Sequence, residues 1–442
     1  MTLLCPLFYP KKMRVFVSFL LFAIVGFALP HAVAADLFHR HFADSTLRVD
    51  YHRTGNRKCD TIVDVTYAVA GGWVGSTTQL IDPFDNGDYR IVVTDTAASE
   101  FLYSRCYNTL FSEYRQTKAG ADSAATFEEV VRVPLPLHAV RLLFQRRGTD
   151  GKFHTQSAML LDPAAKDFAP RRPQPLCSPL RLHYSGNPQR KVDIAIVPEG
   201  YGAADSLKMR RDLQRFCDYI LAQEPFASRS RHINVWGLPL TAKASGITNP
   251  GRGIAVESLL GASYNTLGSD RYLMTTRLWQ LHDVLATTPC DHIVIMANST
   301  TYGGGAIYNF YAMSSTCDMA YMVLPHELGH SIGGLADEYV DEELSYSDIH
   351  PTATEPVEPN ITTLVDFASK WQSMLPKGTA VPTPDNASVS RSENGPLGVY
   401  EGAGYKPRGV YRPAMHCMMR DYAPFCPVCK KRLNAVFDLY IK

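Results

Sequence analysis

The length and charge of this sequence exclude several classes of protein. At 442 residues the chain is longer than one hydrophobic core usually supports, so we expect two or three domains. Because 44 basic residues nearly balance 43 acidic ones, the formal net charge is only +1, which indicates no nucleic-acid partner and no strongly anionic membrane surface.

The first 35 residues have the three parts of a secretory signal peptide. A basic segment at 11–14 precedes an apolar run at 15–29, and small residues follow at 32–35. The apolar run is shorter than the roughly 20 residues of a spanning helix, so we expect cleavage after Ala34 or Ala35 and no stable membrane insertion. The mature chain is therefore predicted to be exported to the periplasm or the extracellular space.

Residues 36–165 have the pattern of a β-rich domain. Short runs of β-branched and aromatic residues alternate with turn pairs such as Asn86-Gly87, which is typical of a β-sandwich. A proline-rich stretch follows, and we interpret residues 166–180 as a linker. The predicted strands are Thr61–Val69, Tyr89–Val93, Glu129–Val133 and Ala139–Arg146.

Residues 181–442 change to alternating strands and helices, which predicts an α/β domain. Ala306–Met313 follows three glycines and is predicted to be an edge strand beside a substrate. Residues 346–404 are rich in Pro, Thr, Ser and Asn, and we expect a long loop with one helical piece, Leu364–Met374. The other predicted strands are Val192–Val197, Ile233–Leu238 and His292–Met296, and the other predicted helices are Ala204–Glu224 and Arg271–Ala286.

The pattern H-E-x-x-H at residues 326–330 is the strongest chemical signal in the sequence. Histidines four residues apart lie on one face of a helix, so His326 and His330 can bind one Zn²⁺ at about 2.0–2.1 Å. Glu327 is then placed to act as a general base toward zinc-bound water. The alternative for the bare pattern is a solvated helix face, but the glycines at 333–334 are typical of a packed helix that ends just after the second histidine.

A catalytic zinc needs a third protein ligand, and two carboxylates follow the glycines. In the metzincin arrangement this ligand stands six residues after the second histidine, where the chain has Ala336, a residue without a donor atom. We therefore predict Asp337 as the third ligand in preference to Glu338. The alternative is that both carboxylates are solvated turn residues.

A methionine turn is predicted within Tyr411–Arg420, where a thioether would pack beneath the zinc site. Met419 is the first choice for this thioether and Met418 is the second. Ordinary core packing is the alternative for both methionines. His416, in the same stretch, is interpreted as structural and not as a ligand.

Cysteine pairing is not determined by the sequence. Cleavage of the signal peptide would remove Cys5 and leave nine cysteines, so at least one is free or pairs between chains. Cys426 and Cys429 form a C-x-x-C pair, for which we expect a local disulfide or two buried thiols. A structural zinc site would need two further ligands, and no second C-x-x-C occurs.

Five stretches of the sequence carry a family resemblance: Val192–Tyr201, Gly261–Met274, the zinc helix through Tyr339, Phe425–Cys429 and, in the N-terminal region, Tyr103–Phe111. Together they resemble the IgA peptidase family of bacterial zinc metallopeptidases, which are metzincin-like. The resemblance covers the chain from about residue 180 to its end, and more loosely the N-terminal region. It implies one zinc ion held by His326, His330 and a downstream acidic residue, with Glu327 as general base, and it does not imply immunoglobulin A as substrate.

The predicted function is a secreted zinc metalloendopeptidase that acts on protein or peptide substrates. Two other hypotheses remain at this point. One is a non-catalytic binding or adhesion protein on a peptidase fold, and the other is an amidase of cell-wall peptide. Glu327 argues against the binding protein, because a proton shuttle beside a metal is of no use without catalysis.

Overall fold

The structure of the chain, a computed structural model, covers residues 37–97, 100–341, 349–385 and 388–441. The predicted signal peptide lies outside these described residues, as does the beginning of the loop predicted at 346. Across the four described stretches, no helix is both long enough and apolar enough to cross a bilayer.

In the described part of the N-terminal region, a helical turn at 37–41 is followed by seven strands and two short helices. They are β1 (Phe42–Gly55), β2 (Asp60–Ala70), β3 (Tyr89–Asp95), β4 (Phe101–Tyr107), α1 (Leu110–Tyr114), α2 (Lys118–Asp122), β5 (Ala125–Pro136), β6 (Val140–Arg147) and β7 (Phe153–Leu161). The strands make two antiparallel sheets, in the orders β2-β1-β5 and β4-β3-β6-β7. Alternate residues of β1, namely Leu47, Val49 and Tyr51, enter the core that the two sheets share. The predicted β-rich region is confirmed.

A six-stranded sheet forms the centre of the second region. Its strands are β8 (Leu180–His183), β9 (Val192–Glu199), β10 (Ile233–Gly237), β11 (His292–Ala297), β12 (Gly304–Ile307) and β13 (Tyr311–Ser315). They lie in the order β12-β13-β11-β9-β10-β8, with antiparallel strands at both edges and parallel pairs between them. Every residue of β9, β10 and β11 is buried, which explains why these strands are mostly apolar in the sequence.

Within the residues of this mixed α/β region that the structure describes, five α-helices and a hairpin accompany the sheet. They are α3 (Ser206–Leu221), α4 (Leu278–Val284), α5 (Ala320–Gly333), the hairpin of β14 (Tyr400–Ala403) and β15 (Lys406–Arg412), α6 (Met418–Asp421) and α7 (Pro427–Asp438). Helix α5 carries the H-E-x-x-H pattern and packs against β12, β13 and α7. It is terminated by the capping residue Gly334, which adopts a left-handed conformation with φ of 58°.

Three predicted elements differ in the structure. The helix predicted at Arg271–Ala286 is confined to α4, because the backbone before it pairs with Ser263 and Gly304. Ala306–Met313 spans a hairpin of two strands, since Asn309 turns the chain with φ of 54°. The piece predicted at Leu364–Met374 consists of two 3₁₀ turns, Phe367–Ser369 and Gln372–Met374.

Ion pairs between side chains link the two regions, and a loop of the first region donates a further hydrogen bond to the second. Arg48, on β1, lies 2.7 Å from Asp283 of α4, and its own strand neighbour Asp50 binds Arg171 of the predicted linker at 2.8 Å. The side-chain amide of Asn86 donates to the carbonyl of Gly334 at 3.1 Å. The N-terminal region therefore contacts the residue that ends α5.

Candidate metal centre

The three predicted metal ligands meet near the C-terminal end of α5. The Nε2 atoms of His326 and His330 are 3.1 Å apart. The Oδ1 atom of Asp337 lies 3.1 Å from His326 Nε2 and 3.4 Å from His330 Nε2. We call these three residues the histidine centre.

Hydrogen bonds fix the protonation of both imidazoles. His326 Nδ1 lies 2.8 Å from the carbonyl oxygen of Met418, and His330 Nδ1 lies 2.7 Å from that of Leu335. A carbonyl oxygen has no proton to donate, so each Nδ1 is the donor and, in a neutral imidazole, each Nε2 is an acceptor. Two Nε2 lone pairs and the Asp337 carboxylate therefore face one another, which suits a cation held between them.

The carboxylate of Asp337 has one oxygen that is satisfied and one that is not. Oδ2 accepts the hydroxyl proton of Tyr405, whereas Oδ1 is buried and accepts no hydrogen bond from any described residue. A buried carboxylate oxygen without a donor is costly unless a cation compensates it. Two imidazoles and one carboxylate are a donor set that fits a catalytic zinc ion.

The charges within the histidine centre stabilise one another. Without a bound cation, burial disfavours the charged form of His330, but Asp337 and Glu327 outweigh burial and raise the pKa of His330 to about 9. A cation held at Nε2 would take the place of that proton. Burial alone would raise the pKa of Asp337, yet the two imidazoles hold it well below its usual range. The carboxylate of Asp337 is thus ionised, as a metal ligand must be.

Glu327 lies half-buried beside the histidine centre. Burial raises the pKa of its carboxyl, and the charges of the neighbouring histidines oppose that rise. A Cβ atom at Gly304 of β12 would lie 2.7 Å from Glu327 Oε1, so only glycine leaves room for this carboxylate. A confined carboxyl with a raised pKa is suited to accept and return a proton.

Glu338, the alternative third ligand, points away from the histidine centre. Its Oε1 accepts the side-chain amide proton of Asn360 at 2.8 Å and lies 3.4 Å from Cys429 Sγ. Its backbone N–H donates to the carbonyl of Met419 at 2.7 Å. The two adjacent carboxylates therefore lie in different surroundings. Asp337 faces the histidines, and Glu338 faces Asn360 and Cys429.

The predicted methionine turn lies beneath α5. The thioether of Met419 packs so closely on Gly329 that a Cβ there would approach its sulfur to 2.5 Å. Met418 contributes its carbonyl, which accepts from His326. His416 faces Asp421 and the carbonyl of Val389, and the histidine centre does not include it.

Two tyrosines at the histidine centre were missed in the sequence analysis. Tyr405 donates its hydroxyl proton to Asp337, and the ring of Tyr422 stands edge-on to His326 with centroids 5.5 Å apart. Tyr405 is 68 residues beyond the carboxylate that it contacts, and no local spacing marks either tyrosine.

The N-terminal region also reaches this centre. Tyr272, within a stretch that carried the family resemblance, donates its hydroxyl proton to Glu113 of α1 at 2.6 Å. The neighbouring Arg271 lies near Asp341, at 3.5 Å. Glu113 interacts electrostatically with both His330 and Glu327. A carboxylate of the first region is thus part of the electrostatic surroundings of His330 and Glu327 on α5.

Cys426 and Cys429 are separate buried thiols, and no disulfide is found among the nine cysteines of the described stretches. The sulfur of Cys417 lies 3.7 Å from that of Cys429. The C-x-x-C pair therefore has a third cysteine as neighbour.

Two family models match the chain. The model described as IgA Peptidase M64 matches residues 180–395 and 385–437, which together are more than half of the sequence. The chain belongs to the IgA peptidase M64 family. A second model, described as Peptidase M64 N-terminus, matches residues 37–157 of the same M64 chain. No curated protein matches this M64 peptidase.

Family membership confirms the resemblance that the sequence motifs indicated. The M64 chain is a metallopeptidase, and this class implies a metal ion and a protein substrate. The N-terminus model matches the antiparallel β region of the structure, and the peptidase model matches the mixed α/β region.

Proposed function

We propose that this M64 peptidase is an exported zinc metalloendopeptidase with a zincin-like catalytic domain. In this proposal His326, His330 and Asp337 bind one Zn²⁺, and Glu327 is the general base. The observation that carries it is the convergence of two imidazole lone pairs on the Asp337 oxygen, with both Nδ1 protons engaged elsewhere.

The choice of zinc rests on the donor set. Two imidazole nitrogens and one carboxylate, with a further position open, are typical of catalytic zinc. When bound, zinc would lower the pKa of a water molecule and polarise the scissile carbonyl. The carbonyls of Met418 and Leu335 keep the two imidazoles oriented, and Tyr405 orients the carboxylate, as outer partners of ligands do.

Glu327 provides the proton transfers. Its carboxylate would take a proton from the attacking water and pass it to the leaving amine. Burial raises the pKa of Glu327, which makes its carboxylate a stronger base than an exposed glutamate. The contact with Gly304 restricts where this carboxylate can move, so that the proton is accepted and returned at nearly the same place.

A peptide substrate has access from the side of β12. The side chain of His330 is 20% exposed, twice the 10% of His326, so His330 is the more accessible of the two imidazoles. β12 lies at the edge of the sheet, and its Gly304 contacts Glu327. An extended peptide beside β12 would bring its scissile bond to the general base.

Export is proposed from the signal-peptide pattern of residues 1–35. The measurement is N-terminal sequencing of the protein collected outside the cytoplasm of an expressing bacterium. A mature N-terminus at residue 35 or 36 is expected. An N-terminus at Met1 or Met13 would contradict the proposal.

The peptidase activity is tested with a library of peptides derived from a proteome. The purified native chain and a Glu327→Ala variant are each incubated with the library, with and without a chelator, and the products are sequenced. We expect cleavage by the native protein alone, loss of cleavage with chelator, and equal zinc content in both proteins.

A matched control uses another glutamate. Glu257 is exposed and pairs at 3.1 Å with the exposed Lys243, so Glu257→Ala should leave cleavage unchanged. Products within peptide chains indicate an endopeptidase. Cleavage confined to cell-wall peptide would favour an amidase, and zinc binding without any cleavage would favour a binding protein.

A further inference from the structure

A second group of metal-ligating side chains lies behind the histidine centre. It consists of Glu338, Cys417, Cys426 and Cys429, and we call it the cysteine cluster. One ligand atom from each of the four residues lies within 4.8 Å of all the others. All four residues are fully buried, with 0% exposure.

The four residues come from three segments of the chain. Glu338 follows Asp337 in the turn after α5, Cys417 immediately precedes α6, and the C-x-x-C pair opens α7. The two further ligands that a structural zinc would need are therefore present, although neither belongs to a second C-x-x-C. They are brought to Cys426 and Cys429 by tertiary packing.

The spacing of the donor atoms fits tetrahedral coordination. Cys417 Sγ lies 3.7 Å from Cys429 Sγ, and Glu338 Oε1 lies 3.4 Å from Cys429 Sγ. A tetrahedral ion with metal–sulfur bonds of about 2.3 Å would separate two sulfurs by about 3.8 Å. A disulfide would instead need the two sulfurs about 2.05 Å apart.

The carboxylate of Glu338 lacks the partners that a purely structural glutamate would need. Its Oε1 is bound by the amide of Asn360, whereas its Oε2 is buried and accepts no hydrogen bond from the described residues. A disulfide among three cysteines would leave one thiol buried and would supply no donor or cation for Oε2. A divalent cation satisfies the sulfurs and the carboxylate together.

We propose that the cysteine cluster is a structural zinc site formed by three thiolates and the Glu338 carboxylate. Four protein donors close the coordination sphere, so no position remains for water or substrate. Thiolate donors select zinc over magnesium or calcium.

Such a site would hold the histidine centre in place. Glu338 is the neighbour of Asp337, and Cys417 is the neighbour of Met418, whose carbonyl orients His326. The same ion would also attach α7, through Cys426 and Cys429, to both of these segments. Its role is one of positioning, because none of its ligands contacts the reacting atoms.

The test counts and characterises zinc in the full chain. Elemental analysis of the native protein should give two zinc ions per chain, and X-ray absorption should show sulfur at about 2.3 Å. A His326→Ala/His330→Ala variant should keep one zinc with mainly sulfur ligands. One zinc without sulfur ligands in the native protein, or a Cys417, Cys426 or Cys429 disulfide in non-reduced peptides, would overturn the proposal.

A cysteine variant and a matched control sharpen the test. Cys426→Ser should lose one of the two zinc ions and lower the melting temperature. Cys217→Ser, which changes an equally buried cysteine of α3 outside the cluster, should keep both ions. Equal zinc content in the two variants would contradict the site. The peptidase proposal is judged separately, because a protein with two zinc ions and no cleavage would refute that proposal alone.

Discussion

The histidine centre and the cysteine cluster differ in their access to solvent. At the histidine centre the side chain of His330 is 20% exposed, and three donors leave a coordination position open. In the cysteine cluster all four residues are fully buried, and their donor atoms would fill the coordination sphere of an ion. Substrate chemistry needs the first arrangement, whereas a fixed geometry needs the second.

The difference is produced by two adjacent residues. Asp337 faces the histidines, and Glu338 faces Cys429 on the other side of the same backbone. The backbone between them is fixed, because Gly404 donates to the Asp337 carbonyl and Glu338 donates to that of Met419. The path of the chain therefore places two carboxylates of similar chemistry in different donor groups, where each would bind a different ion.

The largest expected effect comes from the general base. Glu327→Gln keeps the shape of the side chain but removes its ability to accept a proton, so kcat should fall by about 10²–10⁴-fold. The zinc content should stay at the native value, which elemental analysis checks. A variant that retains native kcat would show that catalysis at the histidine centre does not use this carboxylate.

Converting each of the two carboxylates to its amide in separate variants tests whether they bind different ions. Asp337→Asn should abolish activity and weaken zinc binding at the histidine centre by more than the roughly 10–100-fold cost of losing an outer partner. Glu338→Gln should leave zinc at the histidine centre and weaken the cysteine cluster. Zinc titration with a competing chelator measures both, and identical loss in the two variants would contradict separate sites.

A smaller effect is expected at Tyr405. Tyr405→Phe removes the hydroxyl that donates to Asp337 while keeping the ring, which packs edge-on against Tyr339. Zinc affinity at the histidine centre should fall by about 10–100-fold, because an outer partner orients its ligand. Native affinity in the chelator titration would mean that the hydroxyl is dispensable.

The smallest effect concerns a third carboxylate, Glu113, which binds neither proposed ion. Burial raises its pKa from an ordinary 4.5 to about 7, against the opposing effects of the Tyr272 hydrogen bond and His330. Between these values the folded state keeps a proton that the unfolded state releases, so the free energy of unfolding falls as pH rises through this window.

Glu113→Gln should remove that contribution. The loss of unfolding free energy between pH 4.5 and pH 8 should shrink by roughly 1–3 kcal/mol, as measured by urea denaturation at both pH values. Glu257→Gln, at an exposed position, serves as the control. An unchanged pH dependence in the Glu113 variant would show that its carboxyl is ionised throughout.

Local patterns predicted the parts of the protein that depend on nearby residues. The strands β9, β10 and β11 are buried on both faces, and their apolar runs identified them. His326 and His330 meet because four residues make about one helical turn, and Asp337 is only a short turn beyond Gly334. These contacts need no knowledge of the remaining chain.

The rest of the surroundings depends on tertiary packing. Tyr405 reaches Asp337 across 68 residues, and Glu338 reaches Cys429 across 91. The helix predicted from Arg271 failed for the same reason, since pairing of its first residues with Ser263 and Gly304 outweighed their helical periodicity. Contacts between distant segments leave no spacing that a sequence pattern can show.

The hydrogen bond from Asn86 to Gly334 makes the two M64 regions mutually dependent. Asn86 lies in a loop of the β-rich region, yet it satisfies the carbonyl at which the chain leaves α5 toward Asp337. Gly334 has no space for a side chain, because a Cβ there would approach the Asn86 amide to 2.1 Å. Excising the β-rich region, or replacing it with an unrelated module, would therefore leave the protease half with an incomplete metal pocket.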